Sequence, residues 1–174
     1  MTWSPSTAEP ATAAGAGTPP SPSSSASTPT PGVTHSDEAL IATTRAALDA
    51  GIAAAQPGAR LGDVAHAIGR VARAAGYGLM ANHGGHGIGR EMHEAPHVPN
   101  EGRPGRGLVL RPGLVLALEP MLITGGTDAY EHDPDGWTLR TADSTRAAHI
   151  EHTVAITENG PEVLTRLAQR LAMR

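Results

Sequence analysis

The first 34 residues of the chain carry almost no side chains that can build a hydrophobic core. Thirty of them are Ala, Gly, Pro, Ser or Thr, and seven of the chain's 15 prolines lie among them. Such a composition buries too little apolar surface to offset the entropy of ordering, so we expect residues 1–35 to be disordered. About 138 of the 174 residues remain, enough for one domain. We place this domain at residues 36–165, followed by a tail or short helix at 166–174.

The composition also excludes several classes of protein. The chain has no cysteine, so disulfide frameworks, thiolate metal sites and cysteine nucleophiles are excluded, and any metal must be bound by His, Asp or Glu. The formal charge is −4 and the arginines are scattered, which argues against a nucleic-acid partner. No stretch approaches 18 apolar residues and no signal-peptide pattern is visible, so we expect a cytoplasmic protein with no membrane partner.

Hydrophobic periodicity predicts two helices. Ser36, followed by two acids, marks the start of a first helix that ends before Pro57-Gly58. A second helix is predicted from Leu61 to Ala75, where Gly76 can take the left-handed conformation that ends a helix. The apolar faces of the two helices are predicted to comprise Ile41, Leu48, Ile52 and Ala55 in the first, and Leu61, Val64, Ile68, Val71 and Ala75 in the second.

The hydrophobic period changes after Gly76. Short apolar runs separated by Pro, Gly, Asn and Asp predict strands. Two helices followed by an antiparallel sheet make the predicted fold class α+β. The runs are Gly78–Met80, Leu108–Leu110, Leu114–Leu118, Trp137–Arg140, Ile150–Ile156 and Val163–Leu164.

Four of the nine histidines lie between His83 and His97, among several glycines. One interpretation is a solvated loop without a task, and the other is a site where glycines let the backbone approach a metal or substrate. The stretch from His93 to His97 matches the H-E-x-x-H zinc signature, which needs both histidines on one helix face. Pro96 inside the motif argues against that helix. A G-x-G-x-x-G dinucleotide loop is not formed either, because the last glycine is missing.

Two acidic residues, Glu119 and Glu151, interrupt apolar strands. A carboxylate in a buried run needs an opposite charge or a metal, so both are candidate ligands converging on the cluster that contains His86. The alternative is that they are structural residues paired with Arg90 or Arg140.

Five motifs follow one another along the chain. They are Gly85-His86-Gly87-Ile88-Gly89, Met92-His93-Glu94-Ala95-Pro96 with Val98-Pro99-Asn100, Leu118-Glu119-Pro120-Met121, Asp135-Gly136-Trp137-Thr138 and Ile150-Glu151-His152-Thr153. Taken together, they resemble the motifs of type I methionine aminopeptidases. The resemblance covers about Asp37 to Thr165 and implies a pita-bread fold, the creatinase/aminopeptidase-like architecture, of which this chain carries a truncated form: the C-terminal half and its preceding helices. Prolidase and aminopeptidase P share that fold, but the Val-Pro-Asn and Asp-Gly-Trp-Thr segments favour the methionine enzyme.

The resemblance also implies roles for individual residues. His86, Glu119 and Glu151 correspond to metal ligands, and Glu151 would bridge two divalent ions. His93 and Glu119 correspond to catalytic residues, and His93 and Trp137 would contact the substrate. In that family a metal-activated water removes the N-terminal methionine of nascent proteins. The implied cofactor is a divalent metal: Co, Mn, Fe or Zn.

The same resemblance implies an N-terminal half that carries two aspartate ligands and a further histidine. The aspartates before His86, namely Asp37, Asp49 and Asp63, have the wrong spacing for that pair. We therefore expect at most one bound ion and little activity from this chain alone, with the missing N-terminal half supplied in trans or lost by truncation or frameshift. The alternatives are an inactive peptide-binding module and a remnant without function. We also expect self-association through the exposed sheet edge.

Overall fold

The structure of the protein is a computed structural model that describes residues 35–166. Residues 1–35, predicted to be disordered, and residues 166–174, predicted as a tail or short helix, lie outside the described residues, apart from His35 and Arg166. Within the described part, no helix combines the length and the apolar character needed to cross a bilayer.

Within residues 35–166, two helices precede ten short strands. The helices are α1 (His35–Ala54) and α2 (Leu61–Ala74), and the strands are β1 (Gly78–Leu79), β2 (Gly84–Gly87), β3 (Glu94–Pro99), β4 (Val115–Leu118), β5 (Met121–Ile123), β6 (Tyr130–His132), β7 (Leu139–Thr141), β8 (Ala147–His149), β9 (His152–Thr157) and β10 (Gly160–Val163). All strand pairs are antiparallel. The predicted α+β fold, two helices followed by an antiparallel sheet, is confirmed.

Local signals in the sequence account for the helix ends. At the start of α2, the carboxylate of Asp63 accepts a hydrogen bond of 2.8 Å from the backbone N–H of Arg60, and this bond lowers the pKa of Asp63. Gly76, just after α2, has φ +79°, a left-handed conformation that suits glycine. The predicted ends of both helices are therefore confirmed to within a few residues.

Two predicted core positions in the helices are wrong. Ile41 is 41% exposed, and the neighbouring Leu40 is buried in its place. Ala75 is exposed because α2 ends one residue before it, so Ala72 supplies the last buried contact of that helix. The other predicted residues of the two apolar faces are buried or packed against the core.

The strands form three sheets. The largest has the order β10-β9-β4-β2-β3, a second has the order β1-β5-β8, and β6 pairs with β7 in a hairpin. The apolar run Leu108–Leu110 does not form a strand, since only Val109 makes an isolated bridge, to Arg60. In contrast, β2 and β3 form in the glycine- and histidine-rich stretch where no strand was predicted.

The hydrophobic core lies between the helices and one face of the five-stranded sheet. Leu48 of α1 and Ile68 of α2 pack in one cluster with Leu116 and Leu118 of β4 and Val154 of β9. Successive side chains of a strand point to opposite faces, so the odd-numbered residues of β4 and β9 point away from the helices. The candidate ligands lie on that second face.

Candidate metal centre

Glu119 and Glu151 stand opposite each other where two strand pairs meet. Leu118 pairs with His152 in the large sheet, and Met121 pairs with His149 in the three-stranded sheet. The register is the same in both sheets, so it places Glu119 opposite Glu151. Directly opposed residues of antiparallel strands project from the same face. The two carboxylates therefore converge although 31 residues separate them in the sequence.

Three ligand-type side chains come together at this point. One ligand atom from each of Glu119, His149 and Glu151 lies within 4.8 Å of the other two. The Nε2 atom of His149 is 3.4 Å from Oε2 of Glu119. His149 and Glu151 are two residues apart, so the strand period brings both to the same face.

His86 approaches the other oxygen of Glu119. Its Nε2 is 3.3 Å from Oε1 of Glu119, and the side chains of His86 and Glu119 are 16% and 12% exposed. In β2, His86 pairs with Ala117, which is two residues before Glu119 on β4. His86 therefore projects from the same face as the carboxylates. His86 is not one of the three residues grouped with Glu151, and it contacts the centre through Glu119.

The backbone determines which ring nitrogen of His86 faces Glu119. Nδ1 of His86 is 2.8 Å from the carbonyl oxygen of Gly87. A carbonyl oxygen only accepts, so Nδ1 carries the proton and donates this bond. Nε2 is then the ring nitrogen that faces Glu119. This orientation is typical of histidines that bind metals.

Close packing of β2 against β4 keeps His86 near Glu119. A Cβ atom at Gly85 would collide with the carbonyl oxygen of Ala117, so only glycine permits this approach. On the other side, the register of β2 with β3 shifts between His86 and Gly87, which produces a β-bulge. The glycines next to His86 thus serve the packing of the strand that carries it.

A buried amide supports the backbone of Glu119. Asn100 is 3% exposed, and its Nδ2 donates a hydrogen bond of 2.8 Å to the carbonyl oxygen of Glu119. Its Oδ1 is buried and has no hydrogen-bond partner among the described residues. This bond holds Glu119 at the junction between β4 and β5.

Negative charge dominates the centre. Within residues 35–166, no arginine forms an ion pair with Glu119 or Glu151, and Arg140 instead pairs with Asp133 at 2.7 Å. The suggested pairing with Arg90 or Arg140 is therefore wrong for the described part of the chain. The hydrogen bond with Glu119 raises the pKa of His149, opposed by partial burial and assisted by the charges of both glutamates. The centre favours a bound cation.

The donor set fits a divalent metal ion. Ligand atoms about 2.1 Å from one ion lie about 3.0 to 3.4 Å apart at octahedral or tetrahedral angles. The two histidine to Glu119 distances, 3.3 and 3.4 Å, fall in this range. Carboxylate oxygens with imidazole nitrogens suit Mn, Fe, Co or Zn.

The remaining predicted site residues lie nearer the solvent. The ring of His93 is exposed, and its centroid is 4.1 Å from that of His86. Trp137 is 80% exposed in the turn between β6 and β7, where its backbone N–H donates to Asp135. The roles of His93 and Trp137 toward a substrate remain predictions.

The upstream aspartates lie on helices, whereas the resemblance requires two aspartates on paired strands. Asp37 and Asp49 are on α1, and Asp63 is on α2, where it accepts hydrogen bonds from backbone N–H groups. The prediction that the H-E-x-x-H motif is not helical is confirmed, because Glu94 to His97 belong to strand β3.

His149 is the residue that the sequence interpretation missed. The available signal was the spacing His149-x-Glu151, which places both side chains on one face of any strand.

Residues 24–158 match the model of metallopeptidase family M24. Methionine aminopeptidase 1 of Mycobacterium tuberculosis is 55% identical over 139 residues, which cover 76% of this chain and 52% of that protein. Methionine aminopeptidase of Clostridium acetobutylicum is 48% identical over 132 residues, 75% of this chain and 52% of that protein.

Solved structures agree with the sequence matches. The crystal structure of methionine aminopeptidase from Thermotoga maritima superimposes with a TM-score of 0.74 at 45% identity, over 77% of this chain and 53% of that one. Prolidase from Pyrococcus furiosus gives a TM-score of 0.58 at 25% identity, over 77% and 34%. The chain spans about half the length of the methionine aminopeptidases that it matches. The pita-bread fold and the resemblance to methionine aminopeptidases are confirmed, and the chain belongs to metallopeptidase family M24.

Proposed function

We propose that this chain is a methionine aminopeptidase-like metallopeptidase whose metal centre is built on Glu119. The convergence of Glu119 and Glu151, each brought to one face by the strand register, is the observation that carries the proposal. Glu119 is 12% exposed and pairs with no arginine within residues 35–166, so its charge is costly unless a cation joins it. His86, Glu119 and Glu151 are the proposed protein ligands.

We propose Co, Mn, Fe or Zn as the cofactor, with one ion per chain. The described residues bring two carboxylates to a common point, and the aspartates of α1 and α2 do not join them. A second ion would need ligands from elsewhere, such as a second chain. When bound, a divalent ion supplies a Lewis acid that polarises the scissile carbonyl and acidifies water.

The side chains around the centre have separate tasks in this proposal. Glu119 takes the proton from the attacking water and passes it to the leaving amine. His93, whose ring lies beside that of His86, donates a hydrogen bond to the carbonyl oxygen of the scissile peptide. Trp137 borders the site that takes the methionine side chain. The substrate is the N-terminal peptide of a nascent protein.

We propose residues 36–165 as the functional domain, acting in the cytoplasm. Strand β3 lies at the edge of the five-stranded sheet in the described part of the chain. An edge strand offers backbone hydrogen-bonding groups to another chain, so self-association through β3 is the proposed route to oligomers.

A peptide assay with matched variants tests the proposed reaction. The full chain is incubated with Co²⁺ and the tripeptide Met-Ala-Ser, and the release of methionine is measured. We expect slow hydrolysis that Glu119→Gln abolishes, while Glu131→Gln, a change at an exposed glutamate of β6, leaves the rate unchanged. Metal binding without methionine release would contradict the proposed activity and favour a peptide-binding module. Equal loss in both variants would contradict the role of Glu119.

A further inference from the structure

We propose that His149 is a ligand, through Nε2, of the ion bound between Glu119 and Glu151. The inference rests on the proposed function and adds a residue to its metal centre. His149 lies outside the five motifs that carry the family resemblance, so nothing in that resemblance assigns it a role. With Glu119 and Glu151, His149 would form a group of three ligands, and His86 would lie on the other oxygen of Glu119.

The strand geometry presents His149 and both carboxylates on one face. His149 ends β8 and pairs with Met121 of β5. Two residues further along the chain, Glu151 occupies the position opposite Glu119. A one-residue shift would turn the imidazole to the helix side of the sheet, where Ala148 packs against the core. The position of His149 is therefore specified by the same register that brings the carboxylates together.

The distances around Glu119 are long for hydrogen bonds and suit two ligands of one ion. Hydrogen bonds between an imidazolium and a carboxylate are about 2.7 to 2.9 Å long. The 3.4 Å between Nε2 of His149 and Oε2 of Glu119 is longer than this. It matches the separation of two ligands of one ion, about 3.0 to 3.4 Å. The ligand atoms of Glu119, His149 and Glu151 lie within 4.8 Å of one another. Two ligands on opposite sides of one ion are about 4.2 Å apart, and side-chain rotation can close the difference.

Glu119 faces a different imidazole with each of its oxygens. Oε1 is next to His86, and Oε2 is next to His149. Only His149 also shares a compact group with Glu151. An ion between the two glutamates therefore has His149 as its adjacent imidazole, and His86 completes the centre from the Oε1 side.

The two imidazoles differ in their access to solvent. The side chain of His149 is 47% exposed, whereas that of His86 is 16% exposed. An ion arriving from water meets His149 and the exposed Glu151 first. His149 is thus expected to affect both the capture of the ion and its retention.

Zinc binding by matched histidine variants tests the assignment. Zn²⁺ is titrated into the full chain by calorimetry, and the ¹⁵N shifts of the imidazoles are recorded by NMR with and without Zn²⁺. The variants are His149→Gln, His86→Gln and the control His152→Gln. His152 lies one residue from Glu151 on the opposite face of β9, where its Nδ1 is 2.9 Å from the hydroxyl of Thr165. Circular dichroism verifies that each variant is folded.

We expect His149→Gln to raise the Kd for Zn²⁺ at least about tenfold, because even the loss of an outer-shell partner of a metal ligand costs that much. We also expect Zn²⁺ to shift Nε2 of His149 in the wild-type spectrum and His152→Gln to bind like the wild type. An unchanged Kd in His149→Gln, with no shift at its Nε2, would overturn the assignment. If Glu119→Gln still abolished binding in that case, the proposed metal centre would stand. If Glu119→Gln bound Zn²⁺ as tightly as the wild type, the proposed function itself would be refuted.

Discussion

Replacement of Asn100 by aspartate probes the support beneath Glu119. Asn100→Asp keeps the shape of the side chain but turns the group that donates to the Glu119 carbonyl into an acceptor. The site is 3% exposed, so the introduced carboxyl must be buried either ionised or protonated. Both choices cost stability at neutral pH.

The cost of protonation limits the destabilisation. Keeping a carboxyl of ordinary pKa neutral costs about 1.36 kcal/mol per pH unit above about 3.9, which is about 4 kcal/mol at pH 7 and about 1.5 kcal/mol at pH 5. The neutral acid can donate its O–H to the Glu119 carbonyl and so restore the hydrogen bond. Burial raises the pKa of the introduced group, so its penalty is absent below the unfolded-state pKa and grows as the pH rises toward the folded-state pKa.

Urea unfolding followed by circular dichroism measures this effect at pH 7 and pH 5. We expect Asn100→Asp to lose about 2 to 4 kcal/mol relative to the wild type at pH 7 and no more than about 1.5 kcal/mol at pH 5. The control Asn159→Asp changes an exposed residue between β9 and β10 and should lose less than about 0.5 kcal/mol. A loss that is the same at both pH values would refute the reasoning, as would a wild-type stability at pH 7.

Three further predictions concern other parts of the domain. Gly85→Ala should cost about 1 to 3 kcal/mol in urea unfolding and weaken Zn²⁺ binding, because the new Cβ would collide with the carbonyl of Ala117; wild-type values for both would contradict the close-packing argument. Asp128→Asn should cost about 1 kcal/mol at pH 7, since Asp128 pairs with the partly exposed Arg73 at 2.6 Å. The hydrogen bond from Arg73 lowers the pKa of Asp128. The extra stability of the wild type is therefore present above the unfolded-state pKa and is lost as the pH falls through the folded-state pKa. A stability difference between wild type and Asp128→Asn that persists at pH 2 would contradict this ion pair as its cause. Trp137→Ala should leave the free energy of unfolding within about 0.5 kcal/mol of the wild type, because the side chain is 80% exposed, and should raise KM for Met-Ala-Ser; an unchanged KM would exclude a substrate contact.

Sequence reasoning succeeds where local signals agree with the final packing. Both helices combine a regular apolar face with clear end signals, and Gly76 ends α2 as its type predicts. Strands β2 and β3 were missed because glycine and histidine carry no alternation of apolar and polar side chains. Their formation depends on pairing with β4, which is remote in sequence. The run Leu108–Leu110 has strand-like residues but finds only one bridging partner, at Arg60.

The candidate site was predictable only in part, because some of its residues stand out in the sequence and others depend on strand pairing. Glu119 and Glu151 attract attention as acids in apolar runs, whatever the topology. His149 becomes visible only with the register of β5 against β8, which places it beside the acids on one face. The solvent exposure of Trp137 likewise depends on where the β6–β7 hairpin lies, and the Asp-Gly-Trp-Thr motif alone does not reveal it.

Uptake of Co²⁺ by the full chain shows whether a metal centre is built on Glu119. Visible absorption recorded during titration of the wild type, Glu119→Gln and the control Glu131→Gln reports both the number of bound ions and the ligand field. We expect one Co²⁺ per chain for the wild type and the control, and a Kd at least about tenfold higher for Glu119→Gln. Binding that Glu119→Gln leaves unchanged, or no binding by the wild type, would contradict a metal centre built on Glu119.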